Sequence, residues 1–141
     1  MFIQCTNLLT APELPATILG YSPYRSMFNN CISLIKGPSI LPATKLHGWD
    51  YAGMFKNCKS LVNAPELPAE TLAGSCYYQM FDSCTSLKTV RCRAKVTASN
   101  ATSQWLYGVK TAGTLYGHSE YGWESGTSGI PTTWTFEELT D

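Results

Sequence analysis

Residues 54–69 read MFKNCKSLVNAPELPA, and the same string returns with few changes along the chain. Residues 1–16 read MFIQCTNLLTAPELPA, residues 27–43 MFNNCISLIKGPSILPA, and residues 80–96 MFDSCTSLKTVRCRAKV. The leading methionines, Met1, Met27, Met54 and Met80, lie 26, 27 and 26 residues apart. One extra residue in the second copy accounts for the 27, with GPSILPA standing where its neighbours have APELPA. Tyr24, Tyr51 and Tyr77 each precede the next copy by three residues, so the unit is YxxMFxxCxSLxxAPxLPAxxL. Self-similarity at a fixed period of about 20–50 residues is the signature of repeat architectures. A unit this short cannot bury its own apolar face, so its neighbours must supply the core.

Within a unit, Tyr51, Met54, Phe55 and Cys58 fall at i, i+3, i+4 and i+7, which predicts about two turns of helix with one apolar stripe. Pro65 and Pro68 exclude a helix from the following LVNAPELPA and predict a short, irregular strand. The fourth copy lacks those prolines. There Val90, Cys92, Ala94 and Val96 alternate with Arg91, Arg93 and Lys95, which predicts a strand with one apolar and one basic face. Residues 97–107, TASNATSQWLY, predict a further helix capped by Ser99 or Asn100, the start of a fifth repeat that never completes. From Gly108 the composition turns to Gly, Thr, Ser, Trp and Tyr, and two short strands are expected near Gly113–Tyr116 and Thr132–Phe136. The expected architecture is an α/β repeat: a solenoid over residues 1–107 and a β-rich C-terminal cap over 108–141 in the same structural unit. Trp105, Trp123 and Trp134 would cover the last apolar face.

Hydrophobic residues make up 44% of the chain and charged residues only 14%, against about 25% in ordinary globular proteins. Ten basic and ten acidic residues cancel, which argues against nucleic acid as a partner and against attraction to an anionic membrane. No stretch approaches the roughly 18 uninterrupted apolar residues of a membrane span, and no basic segment leads into an apolar run as in a secretory signal. So few charges leave little colloidal repulsion, which favours self-association. Met1 aligns with the middle of a unit, so the reading expects further repeats upstream or end-to-end self-association through Phe2, Leu8 and Leu14.

Cys5, Cys31, Cys58 and Cys84 share one repeat position and should form a column, whereas Cys76 and Cys92 are off-register. None makes the close C-x2-C pair of a zinc site. Helical layers about 8–10 Å apart would exceed the roughly 4.4–6.8 Å between Cα atoms that a disulfide requires. Buried free thiols are the expectation. His47 and His118 stand alone and read as surface side chains, and Glu137-Glu138 as a solvated pair. The Gly-rich GTSG at 126–129 lacks the lysine of a phosphate loop, and no GxSxG string occurs. The reading therefore assigns no catalytic residue, no metal ligand and no cofactor. Two patches are candidate ligand contacts: the basic stripe Arg91, Arg93 and Lys95, and the tail aromatics Tyr116, Tyr121 and Trp123. Against these stand two structural roles, a solvated strand face that discourages edge pairing and a cover for the core.

The unit MFxxCxSLxxAPxLPA resembles the leucine-rich repeats of BspA-like bacterial surface proteins, whose shorter form runs AFxxCxxLxxIxIP. The fourth copy, from Phe81 and Cys84 through Leu87 and Val90 to Cys92, follows the short form best. The tail strings WLYG, GTLY and GIPTTWTF are similar to the segment that closes such repeats. The resemblance implies a right-handed leucine-rich-repeat solenoid with short helices and short strands, displayed outside the cell on a bacterial surface. It also implies a non-enzymatic binding or adhesion module whose partner is a protein or glycan, host-derived. The rival expectation is a structural spacer or stalk, with ligand binding elsewhere in a larger protein.

Overall fold

The computed structural model describes residues 2–140. The repeat's apolar positions are buried as their spacing demands: Tyr51, Met54, Phe55, Cys58 and Leu61 are each at most 1% exposed. They are not carried on a helix. The N–H groups of Met54, Lys56 and Cys58 donate to the carbonyls of Tyr51, Gly53 and Phe55, three residues back, at 3.0–3.2 Å. The alternate N–H groups, those of Tyr51, Gly53, Phe55 and Asn57, leave the segment. They donate to the carbonyls of Cys76, Tyr78, Met80 and Asp82 in the next repeat, at 2.8–3.0 Å. An α-helix commits each interior N–H to the carbonyl four residues back and has none for a neighbour.

The backbone that permits this enters the left-handed region at every fourth residue. Trp49, Gly53 and Asn57 have φ of 69°, 62° and 61°. Ser22, Ser26 and Asn30 do the same one repeat earlier; Ser75, Gln79 and Ser83, then Asn100, Gln104 and Gly108, do so in the two that follow. A right-handed helix cannot contain such residues, whereas a train of tight turns needs them. Most of these positions hold Ser, Asn, Gly or Gln; Asn and Gly are the residues that enter the region most readily.

The expected α/β leucine-rich-repeat solenoid of short helices and strands is therefore not the fold. Helices form neither over Tyr51–Cys58 nor over 97–107, and the helical residues described are confined to one 3-10 turn, Ser119–Tyr121. Most of the chain is turns and loops. The apolar spacing misleads because i, i+3, i+4 and i+7 point inward from a four-residue turn train as well as from a helix.

Three short strands form a single parallel sheet in the order β1 (Thr89–Arg91), β2 (Gly113–Gly117), β3 (Trp134–Glu138). Thr89 pairs with Thr114, and Thr114 with Thr135. Upstream the same line continues only as single parallel bridges, Thr10 to Lys36, Lys36 to Asn63 and Asn63 to Thr89. Pro12, Pro38 and Pro65 follow these bridges closely and remove the donors a longer ladder would need. β1 begins where the fourth copy dispenses with them. β2 and β3 extend this parallel register.

Because the register is parallel and one residue lies above its equivalent, identical side chains stack. Phe2, Phe28, Phe55 and Phe81 form a column with ring centroids 5.4, 5.5 and 5.6 Å apart and planes within 14°. Tyr24, Tyr51 and Tyr77 form a second, at 5.9 and 6.1 Å. Both columns end on Trp105, fully buried, 6.4 Å from Phe81 and 6.2 Å from Tyr77. Trp123 stacks on the far face of Trp105 at 5.4 Å. Each buried phenylalanine contributes about 1.5–3 kcal/mol of transfer free energy.

Asn57 joins both devices, since its Nδ2 also donates to Asn30 Oδ1 at 2.8 Å. Asn57→Ala should lower unfolding stability by about 1–2 kcal/mol, through the left-handed backbone and the lost bond. Asn57→Gly should recover the backbone part. Equal losses for Ala and Gly in urea unfolding would show that the left-handed positions do not govern the fold.

Candidate functional site

The residues with the most reactive chemistry are engaged in holding the repeats together. The Sγ–H groups of Cys31, Cys58 and Cys84 donate to the carbonyls of Phe2, Phe28 and Phe55, one repeat earlier, at 2.9, 3.1 and 3.0 Å. All six cysteines are free. Layer spacing is not what keeps them so, because hydrogen-bonded layers lie about 4.7–4.9 Å apart, not the 8–10 Å of packed helices. In a parallel register the side chains leave in one direction, so Cβ atoms stay near that spacing and beyond the about 3.5–4.5 Å of a disulfide. Burial pushes the Cys76 and Cys92 thiols up to about 12 and raises those of Cys31, Cys58 and Cys84 as well. The thiolate is the nucleophile, so these groups are inert at neutral pH.

His47 is exposed, its Nδ1 3.5 Å from Asp50 Oδ2. Asp50 is fully buried and accepts the N–H groups of Ser22 at 3.1 Å and His47 at 2.7 Å, tying the loops of two repeats. His118, expected at the surface, is instead buried at 6% exposure, with its Nδ1 3.6 Å from Glu138 Oε1. Glu138 also accepts the Ser119 N–H, so it is not simply solvated. Among the described residues no group of three His, Cys, Asp or Glu is placed to hold a metal ion. No described helix is long and apolar enough to cross a membrane.

Two members of the basic stripe are matched by carboxylates from the segments on either side. Arg93 Nε lies 3.1 Å from Glu66 Oε1, and Lys95 Nζ 3.5 Å from Glu70 and 3.8 Å from Glu120. Arg91 sits over the ring of Tyr116, its register partner on β2, at 5.0 Å. The tail aromatics are likewise engaged. Trp123 is held between Trp105 at 5.4 Å and Tyr121 at 3.9 Å. The Tyr121 hydroxyl donates to Thr97 Oγ1 at 2.9 Å and lies 3.3 Å from Thr102 Oγ1. The structure thus joins the two patches at one contact, Arg91 on Tyr116, and separately pairs Tyr121 with Trp123.

A different group converges on the turn face. Arg25 Cζ lies 4.8 Å over the Trp49 ring, and Trp49 meets Tyr78 edge-on with centroids 5.4 Å apart. The three come from successive repeats and border a cleft of about 160 Å³. Ala52 and Gly53, both buried, line it from within. Lys56 Nζ, at its side, bonds Gln79 Oε1 at 3.0 Å and stands 3.6 Å from Asp82 Oδ2. Asn29 is also a lining residue, and its Oδ1, closed to solvent, has no hydrogen-bond partner among the described residues. Arg25 makes no ion pair among them either. A wider hollow of about 510 Å³ between Thr44–Leu46 and Pro68–Thr71 has no aromatic lining, and its carboxylate, Glu70, is the one tied to Lys95.

One signal for the cleft lay in the repeat itself. Trp49 occupies a left-handed position whose equivalents are Ser22, Ser75 and Asn100. A bulky aromatic there is a backbone outlier, held by its surroundings, and such outliers gather at functional sites. No family model, no curated protein and no solved structure matches the chain.

The thiols give a direct check. Five of the six, all but half-buried Cys5, should resist a maleimide at neutral pH until the chain is unfolded. The raised groups are favoured protonated in the fold, so their stabilisation is complete below pH 9, the ordinary thiol value. It should fall as pH rises from 9 toward 12, by up to about 1.4 kcal/mol per pH unit for each thiol. Rapid labelling of more than one thiol in the native protein would contradict this packing.

Proposed function

We propose that the chain is a non-enzymatic binding module whose contact surface is the Arg25–Trp49–Tyr78 cleft. One observation carries the reading: in this cleft a guanidinium with no ion-pair partner among the described residues and two aromatic rings, drawn from successive repeats, converge at the surface. Much of the polar chemistry elsewhere is engaged between repeats, in thiol–carbonyl bonds, in Glu–Arg and Glu–Lys pairs and in the buried Asp50 carboxylate, while the Tyr51 hydroxyl and the Trp123 indole N–H are buried without a hydrogen-bond partner among the described residues. Nothing in the cleft combines a nucleophile with a base in hydrogen-bond reach, which is what catalysis would need. Display on a bacterial surface and a role in adhesion belong to this proposal through the resemblance of the repeat unit. A structural spacer is the second reading, favoured by the uninterrupted ring columns that stiffen the stack from Phe2 to Trp123.

The test is a screen of the purified chain against arrayed glycans and extracellular matrix proteins. Trp49→Ala and Tyr78→Ala should each weaken the strongest interaction at least tenfold while leaving the melting temperature within a few degrees. Silence of the unaltered chain across both panels would sink the binding module in favour of the spacer.

A further inference from the structure

We infer that the outer edge of β3 takes an extended peptide as a further parallel strand, one that alternates apolar with basic residues. This site is separate from the Arg25–Trp49–Tyr78 cleft and does not rest on it.

β3 is the last strand of its sheet, so one of its edges has no strand beside it. In a parallel pair, alternate residues turn their N–H and C=O groups to the same neighbour. The Leu139 N–H donates to the Gly117 carbonyl at 2.8 Å, which directs residues 135, 137 and 139 toward β2. Phe136 and Glu138 therefore hold their backbone groups outward, and no bond among the described residues takes them up. Thr135, Glu137 and Glu138 are exposed and Phe136 is half-buried, so this edge is open to solvent. Such an edge is a template for another strand, and main-chain bonds to it are one way proteins take up extended peptides.

The register sets what that strand must carry. Val90, Leu115 and Phe136 are successive members of one column, the first two fully buried. An apolar residue in register with Phe136 adds a fourth member. A hollow of about 240 Å³ beside the Phe136 ring, lined also by Trp123 and Ile130, gives its side chain a place to go. Arg91, Tyr116 and Glu137 form the adjoining column. Arg91 lies over the Tyr116 ring, whereas the Glu137 carboxylate has no ion-pair partner among the described residues. The next residue in that column meets a bare carboxylate. Elsewhere between repeats the same situation is met by a cation, Arg93 on Glu66 at 3.1 Å and Lys95 on Glu70 at 3.5 Å.

Charge selects the partner. All ten Lys and Arg residues lie within residues 1–110, whereas residues 111–141 hold five of the ten acidic ones. With histidine neutral, the tail therefore carries −5 and the remainder of the chain +5. Two copies meeting through β3 would each bring that negative charge, which disfavours a second copy here and favours a basic strand.

The test is fluorescence anisotropy of the full chain with a labelled peptide, TVRSRAKV, which copies residues 89–96 with serine in place of the cysteine. In register, its first three residues lie beside Thr135, Phe136 and Glu137. It should bind at least tenfold more tightly than an analogue with glutamate for its arginines and lysine, and more weakly as salt is raised. It should also outbind, by tenfold, a shuffled peptide of the same composition without the alternation. Glu137→Lys, at an exposed position, should keep the fold, weaken the basic peptide at least tenfold and strengthen the acidic one. N-methylation of one alternate set of peptide residues should abolish binding and that of the other set should spare it, because one edge of the added strand faces β3. Equal binding of the shuffled peptide, or indifference to both N-methylated sets, would overturn the inference, since charge alone would then suffice. Indifference to Glu137→Lys or silence toward every peptide would do the same. Loss of binding on Trp49→Ala would move the peptide to the cleft, and a sedimenting dimer abolished by Glu137→Lys would give the edge to a second copy; either result sinks the proposal.

Discussion

The lateral hydrogen bond between one repeat and the next is the constraint on which the rest of this molecule depends. Alternate N–H groups of each turn segment reach the neighbouring repeat, and the intervening ones close turns within their own. Two demands are met at once: every second donor is satisfied locally, and the others lock the register. A parallel register then places equivalent residues above one another at about the 4.7–4.9 Å of paired strands. The phenylalanine column, the tyrosine column and the thiol–carbonyl ladder are consequences of that placement. They cost no additional ordering, because the backbone has already fixed where each ring must lie.

Such a lattice favours some residue types over others at every level. The left-handed positions take Ser, Asn, Gly and Gln, and the inward positions take Phe, Tyr, Met, Cys and Leu. Cysteine suits its column because a thiol is small, apolar and still able to donate to the Phe carbonyl beneath it. Serine there would bring a more strongly hydrated group into a fully buried place. The low charge content follows as well. With the edges of the repeats paired, some charges find a partner one repeat away, as Arg93 does in Glu66 and Lys95 in Glu70.

The period, the buried set and the irregularity that proline imposes were legible in the sequence, because each is fixed by residue type and spacing alone. The backbone state was not. Tyr51, Met54, Phe55 and Cys58 project to one side from a helix and inward from a turn train, so hydrophobic periodicity cannot separate the two. A second, weaker rhythm could have done so: small polar residues at every fourth position, Ser22, Ser26 and Asn30 in one repeat and Ser75 and Ser83 in another. The basic stripe was read as an open face because the partners of Arg93 and Lys95 lie 27 and 25 residues upstream, outside any local window. Once equivalent repeats are placed in contact, those pairs become neighbours. His118 was misplaced for the same reason, since Glu138, which it faces on β3, lies 20 residues away in sequence.

The cleft was hidden more deeply, because it is made by departures from the repeat. Arg25, Ala52 and Tyr78 share one repeat position, two residues before Met27, Met54 and Met80, and three different residue types fill it, while Trp49 stands where other units have Ser22 and Ser75. A lattice built from repeated contacts is chemically monotonous; recognition of a particular ligand requires a place where the monotony is broken. Trp49 breaks it at a backbone position that disfavours it, beside Ala52 and Gly53, where the absence of larger side chains opens space. Each repeat on either side is held by its own lateral bonds, which fix the backbone positions that carry the three side chains. That rigidity is what lets a small cleft discriminate: little conformational entropy remains to be lost when a ligand arrives. The stiffness that makes the stack resemble a spacer is thus the same property that would make this cleft selective.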